Sequence, residues 1–273
     1  MIDTLVGGAG PPLLLLHGYP QTRMIWKRIA PALAQRFTVV VPDLRGYGRS
    51  DKPAGDPLHQ RYAKRTMGQD QRLTMRALGF ERFAVAGHDR GARVAYRLAL
   101  DHPDVVTRLA VLDIVPTGDV WAHANAGSAM TMYHWFLLAQ PAPLAETLIG
   151  HDPGFYLRWT LRSWAADGFA FDPDAVADYL ACFDDPAAIH ASCEDYRAGW
   201  TLDREADEAD RGQHRIQVPT LALWGEHWGV GRAQPLEKWR AWTTDLRGQG
   251  MPCGHFVCEE APEQVTRELL AFF

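Results

Sequence analysis

The stretch "FAVAGHDRGARVAYRLAL", residues 83–100, constrains this chain more than any other. A short apolar run leads into Gly87, a second glycine stands at position 91, and a helix-forming run follows at once. Glycines two residues either side of Asp89 permit a turn too tight for a Cβ. Such a turn lifts its central side chain above the strand end, with a helix N-terminus behind it. A strand that feeds straight into a helix belongs in a parallel sheet, because parallel neighbours need a crossover connection. The stretch therefore asks for an α/β architecture with Asp89 displayed at the carboxyl edge of the sheet. The plainer alternative is that Asp89 caps the helix, a favoured position for aspartate; the paired glycines argue against that as its whole purpose.

The rest of the chain follows the same alternation. "PLLLLHG", a helix near 24–35, "FTVVVPD", a helix near 64–78, the 83–89 strand, a helix from Gly91 to Leu100 and "RLAVLDI" read as βαβ units. From about 117 to 213 no strand pattern appears, and stretches such as "HWFLLAQPAPLAETLI" and "DPDAVADYLACF" have helical spacing. The sheet pattern returns at "VPTLALWGEH", then a helix near 233–242, a weak strand near 244–250 and the closing helix "APEQVTRELLAFF". The expected fold is a doubly wound, mostly parallel sheet built from 1–116 and 214–273, with a helical cap, 117–213, over the strand ends where open α/β sheets bind ligands. Few residues precede "PPLLLLHG", so a shortened N-terminal sheet edge is expected.

A net charge of −5, with cations scattered among acids, offers no basic stripe for a phosphate backbone, so nucleic acid is not an expected partner. The N-terminal region has neither a basic segment before its apolar run nor a run long enough to span a bilayer, so no membrane is expected and the cytoplasm is the default. Cys182, Cys193, Cys253 and Cys258 form no CxxC pair and read as buried thiols; no metal and no cofactor is expected.

An aspartate in the elbow does a particular kind of chemistry. It is already ionised at neutral pH and can displace a leaving group from saturated carbon, forming an ester that water must then cleave. The cleavage needs a base, and His255 in "CGHFVCEEAPEQV" stands between the last strand and the last helix. A carboxylate must orient that imidazole. Two are available, Asp113 at the end of "LAVLDI" and Glu226 in "LWGEHWG". The strand-end position favours Asp113. In "LLLLHGYP" the turn at His17–Gly18 can aim the Tyr19 N–H at the elbow, and with the Arg90 N–H it would form an oxyanion hole. His17 reads as a structural hydrogen-bonding residue.

With these motifs in hand the sequence resembles the α/β-hydrolases of the fluoroacetate (haloacetate) dehalogenase family. The likeness runs through "HGYPQTRMIW", "VPDLRGYGRSDKP", "GHDRGARVAYRLALDHP", "VLDIVPT", "YHWFLLAQPAPLAETLI", "DPAAIHASCEDYRAGWTLD" and "GHFVCEEAPE". It implies a nucleophile, base and acid at Asp89, His255 and Asp113, and a small anionic haloacid as substrate. It also implies Arg90 and Arg93 on the carboxylate, with His134, Trp135 and Tyr196 on the departing halide. Two guanidinium groups can pair with one carboxylate through their forked N–H groups. Trp164 and Tyr133 are expected to line the same pocket, and a homodimer is implied. An epoxide hydrolase shares the Asp and His machinery, but its cap normally supplies tyrosine proton donors where this chain has His134 and Trp135.

Overall fold

The computed structural model describes residues 1–273. In chain order come β1 (Thr4–Gly7), β2 (Pro12–Leu16), α1 (Ala30–Leu33), β3 (Thr38–Pro42), α2 (Lys64–Ala77), β4 (Phe83–His88), α3 (Arg90–Asp101) and β5 (Val106–Leu112). Eight helices follow without a strand: α4 (Thr117–Ala122), α5 (Ala126–Thr131), α6 (Tyr133–Leu138), α7 (Leu144–His151), α8 (Pro153–Trp164), α9 (Pro173–Phe183), α10 (Pro186–Trp200) and α11 (Leu202–Asp210). The sheet resumes with β6 (Thr220–Gly225), α12 (Gly229–Arg232), α13 (Pro235–Arg240), β7 (Leu246–Met251), α14 (Val257–Glu260) and α15 (Pro262–Phe272).

The seven strands lie in the order β1-β3-β2-β4-β5-β6-β7, parallel throughout except for β1, which pairs antiparallel with β3. The central strands carry unbroken apolar runs because helices cover both faces. Leu13 to Leu16 of β2 are fully buried, each contributing about 1.5–3 kcal/mol from leaving water. At the edge the rule relaxes: Leu5 and Val6 of β1 are half exposed. The sheet thus gains an N-terminal edge from a mere four residues.

Two expected helices differ. Residues 24–35 form a 3-10 turn at Arg23–Trp26 and then the single-turn α1, because Pro31 has no N–H to extend a helix and starts a new one instead. The helix near 233–242 is shortened to α13, which starts at Pro235 after Gln234 with its positive φ of 53°, and the separate single turn α12 precedes it.

No helix is long and apolar enough to cross a membrane.

Candidate active site

Asp89 sits at the β4–α3 junction with φ 47° and ψ −119°, a conformation that costs an L-residue energy and persists only where the surroundings enforce it. Those surroundings are glycines. A Cβ on Gly87 would lie 2.5 Å from Gly91 O, and one on Gly91 would lie 2.2 Å from His17 O. The Asp89 side chain makes no capping bond to α3. Instead its Oδ1 accepts the Tyr19 N–H at 2.8 Å. Holding the aspartate in place is thus a task for the β2 loop, and the helix start is left free.

Burial raises the proton affinity of the Asp89 carboxyl, but the positive charges around it, His255 first and then Arg90 and Arg93, outweigh it and hold the group below its ordinary value. It is therefore a carboxylate at neutral pH.

His255 and Asp113 meet across 142 positions of the chain. Asp113, at φ 52° just past β5, turns one oxygen to the Gly225 N–H at 2.8 Å and the other to His255 Nδ1 at 2.5 Å. Burial works against a charged imidazole, yet the Asp113 hydrogen bond and charge more than offset it, and the His255 pKa is raised. Asp113 is raised too, first by burial. With Nδ1 committed, His255 Nε2 is buried and has no protein partner. Glu226 does not compete: it is exposed on the β6 loop, and the imidazole bonds to Asp113.

The loop that carries His255 is fastened to the helical insertion. The His255 N–H donates to Trp164 O at 2.9 Å, and the Glu260 carboxylate accepts the N–H groups of Ala166, Gly254 and Phe256, each at 2.8 Å. His88 adds a further tie, Nε2 to His255 O at 2.8 Å. Burial lowers the His88 pKa to about 3, so this ring stays neutral beside the imidazole of His255.

Asp89, Arg93, Asp113, His134, Trp135, Trp164 and His255 share the wall of a cavity of about 490 Å³ that runs outward between α5 and α12. His134 Nδ1, Trp164 Nε1 and Tyr196 Oη are all buried without partners. The Tyr196 ring is 5.7 Å from that of His134 and 5.8 Å from that of Trp135. Burial lowers the His134 pKa to about 3 and raises that of Tyr196 well above the ordinary phenol value. Both are neutral hydrogen donors.

Not every expected residue falls where the sequence suggests. Tyr133 is half-buried and lies outside the cavity wall. Tyr196 is also off the wall, its ring lying 4.2 Å below the guanidinium of Arg90. Arg90 does not offer its fork to the cavity: Nε and Nη2 bond to Asp195, and only Nη1 is without a partner. A buried arginine needs a counter-charge, and sequence alone cannot say which of the 33 acidic residues provides it. Arg93 is the reverse case. Its Nη1 is held by Val115 O and Thr117 Oγ1, both uncharged, so a buried cation faces the cavity without a carboxylate of its own. Asp195, Lys64, His88 and Glu260 are the positions that the sequence did not reveal. His17 is buried, with Nε2 accepting the Leu44 N–H at 2.9 Å, a structural use.

Residues 11–262 match the α/β hydrolase fold family. A fluoroacetate dehalogenase from Burkholderia sp. is 46% identical over 99% of this chain and 90% of its own. A solved structure from Nostoc sp. PCC 7120, described as an α/β hydrolase, superimposes with a TM-score of 0.97 at 53% identity, covering 99% of this chain and 93% of that one. A soluble epoxide hydrolase from Corynebacterium sp. is 34% identical over 98% of this chain and 92% of its own.

Proposed function

The chain belongs to the α/β-hydrolase family, within its fluoroacetate dehalogenase branch, and from that premise we propose that it hydrolyses the carbon–halogen bond of small 2-haloacids to the 2-hydroxy acid and halide. The observation that carries this reading is the pairing of a buried carboxylate, Asp89, with a cavity-lining cation, Arg93, that has no acidic partner. A nucleophile set beside an unmatched cation suits an electrophile that bears its own carboxylate.

In the proposed mechanism the outer oxygen of Asp89 attacks the carbon bearing halogen from behind. The C–O bond forms as the halide leaves with the bonding pair, and the product is an ester on Asp89. The halide departs toward the N–H donors of His134 and Trp135, with Trp164 Nε1 beside them and the buried, unpartnered Tyr196 hydroxyl behind the wall as the proposed third donor. Donors replacing the water shell of a departing anion lower the barrier only if they are already in place. Water then adds to the ester carbonyl while His255 Nε2 takes its proton. The oxyanion forms on Oδ1, where Tyr19 N–H already points and the Arg90 N–H is the proposed second donor. Collapse breaks the bond to the substrate oxygen, which takes the proton from the His255 imidazolium and leaves as the hydroxy acid, and loss of the remaining proton to solvent regenerates the Asp89 carboxylate. Asp113 stabilises the imidazolium formed in between.

The epoxide reading has one observation in its favour. The Tyr196 phenol is buried, unpartnered and firmly protonated, as a proton donor to an epoxide oxygen must be. The two readings separate in one assay. The purified protein incubated with fluoroacetate, chloroacetate and styrene oxide is expected to release halide from the acids, and turnover of the epoxide alone would reject the haloacid reading.

Trp135→Phe keeps an aromatic ring, though a smaller one, and removes the N–H. Loss of one hydrogen bond to an ion is worth about 1.5–3 kcal/mol, so kcat for fluoroacetate should fall by roughly 10- to 100-fold. Chloroacetate should lose less, because chloride is the better leaving group and leans less on donors. Equal losses in steady-state rates with the two substrates would remove Trp135 from the halide site.

A further inference from the structure

The Arg90 guanidinium is fully buried and held from several sides. Nε donates to Asp195 Oδ2 at 3.1 Å, and Nη2 donates to Asp195 Oδ1 at 2.6 Å and to Asp195 O at 2.7 Å. The Tyr196 ring closes one face at 4.2 Å. Gly199 lies against the fork, where a Cβ would come within 3.1 Å of Nη2. Asp195 in turn is anchored away from the cavity: Lys64 Nζ bonds to Oδ1, and the Tyr47 hydroxyl donates to Oδ2 at 2.7 Å. Lys64 is itself fixed, its N–H on Asp203 Oδ1 at 2.8 Å and its Nζ 3.5 Å from Asp203 Oδ2.

These charges cancel. Arg90 and Lys64 carry two positive charges, and Asp195 and Asp203 carry two negative ones, all buried. The set joins α2 and the elbow helix α3 to α10 of the insertion. Its geometry leaves one donor over, Arg90 Nη1, which is buried with no partner. Arg93 Nε is in the same state. The two guanidinium groups flank one indole, Arg90 at 5.5 Å and Arg93 at 4.6 Å from the Trp135 ring.

We propose that Asp195 is the positioning residue of the carboxylate site: it grips two nitrogens of Arg90 so that Nη1 alone is presented, beside Arg93, to the carboxylate of the substrate. The inference rests on the haloacid reading. Without Asp195 the fork can turn, and its charge is no longer matched or aimed. Asp195 itself touches no reacting atom.

The test is steady-state kinetics of Asp195→Asn with chloroacetate, together with competitive inhibition by acetate. The expected result is a KM for chloroacetate and an inhibition constant for acetate that rise together by about 10- to 100-fold, the loss of a well-placed charge-assisted bond, with kcat changed only a few-fold. A purely structural role predicts a lower melting temperature and a smaller active fraction with both constants unchanged, and that result overturns the proposal. If Asp195→Asn does not fold, Lys64→Met replaces it, since it removes the outer anchor of Asp195 and spares its bonds to Arg90. A smaller parallel rise in both constants is then expected, and unchanged constants overturn the proposal. Wild-type protein that releases no chloride overturns the haloacid reading and this inference with it. An active wild type with an unresponsive Asp195→Asn overturns this inference alone.

Discussion

His255→Asn should accumulate a covalent ester on Asp89 in the presence of fluoroacetate or chloroacetate. Asparagine occupies the place of the imidazole but cannot accept a proton from water, so the first half of the reaction proceeds and the second does not. Steady-state turnover should fall by roughly 10²–10⁴-fold, the usual worth of a positioned general base. Mass spectrometry of a digest should place the adduct on the peptide containing Asp89. Its absence in a variant that still turns over would reject the assigned roles. The pH profile of the wild type checks the same point. The base must be neutral, and Asp113 raises the pKa of His255 above its ordinary 6.5. Activity should therefore rise with pH through that elevated value, and an acid limb centred below 6.5 would contradict the pairing.

Asp89→Ala and Asp89→Gly should both be inactive, by at least about 10⁴-fold, because neither carries a nucleophile. Their stabilities should differ. Both lose the acceptor of the buried Tyr19 N–H, but position 89 has φ 47°, which glycine adopts freely and alanine does not. Thermal or denaturant unfolding should find the glycine variant more stable by about 1 kcal/mol. Equal stabilities would mean that the elbow is not strained, and residual turnover in either variant would mean that Asp89 is not the nucleophile.

The contrast between those two substitutions also explains why this site could be read from sequence. Asp89 announces itself because its chemistry and its backbone conformation leave local marks, a carboxylate between two glycines at the end of an apolar run. The buried central strands do the same, since a helix-covered parallel strand must be apolar at every position. Asp113 and His255 were legible through their places at element ends. Arg90 was legible as a charge but not as a geometry: its partner Asp195 is 105 positions away in the chain, and no local pattern marks which acid will meet it. The edge strand β1 was unreadable for a related reason, because its four residues, three of them exposed, carry neither an apolar run nor a regular alternation. The helix break at Pro31 and the helix start at Pro235 were visible as prolines, but the surrounding apolar spacing was continuous enough to run past them on paper.

The bond from Tyr19 N–H to Asp89 Oδ1 makes the two oxygens of that carboxylate unequal over the life of the molecule. Under the proposed mechanism the inner oxygen stays in place as ester carbonyl, oxyanion and carboxylate in turn. The outer oxygen leaves with the substrate carbon and becomes the hydroxyl of the product, and an atom from water takes its position. Each catalytic cycle thus gives away a piece of the protein and repairs it from solvent. A single turnover in isotopically labelled water should yield unlabelled hydroxy acid and a labelled Asp89, and label in that first product would show water attacking the substrate carbon directly. The atom found in every product molecule after the first was drawn from the medium one cycle earlier, so the protein retains a one-step record of its solvent.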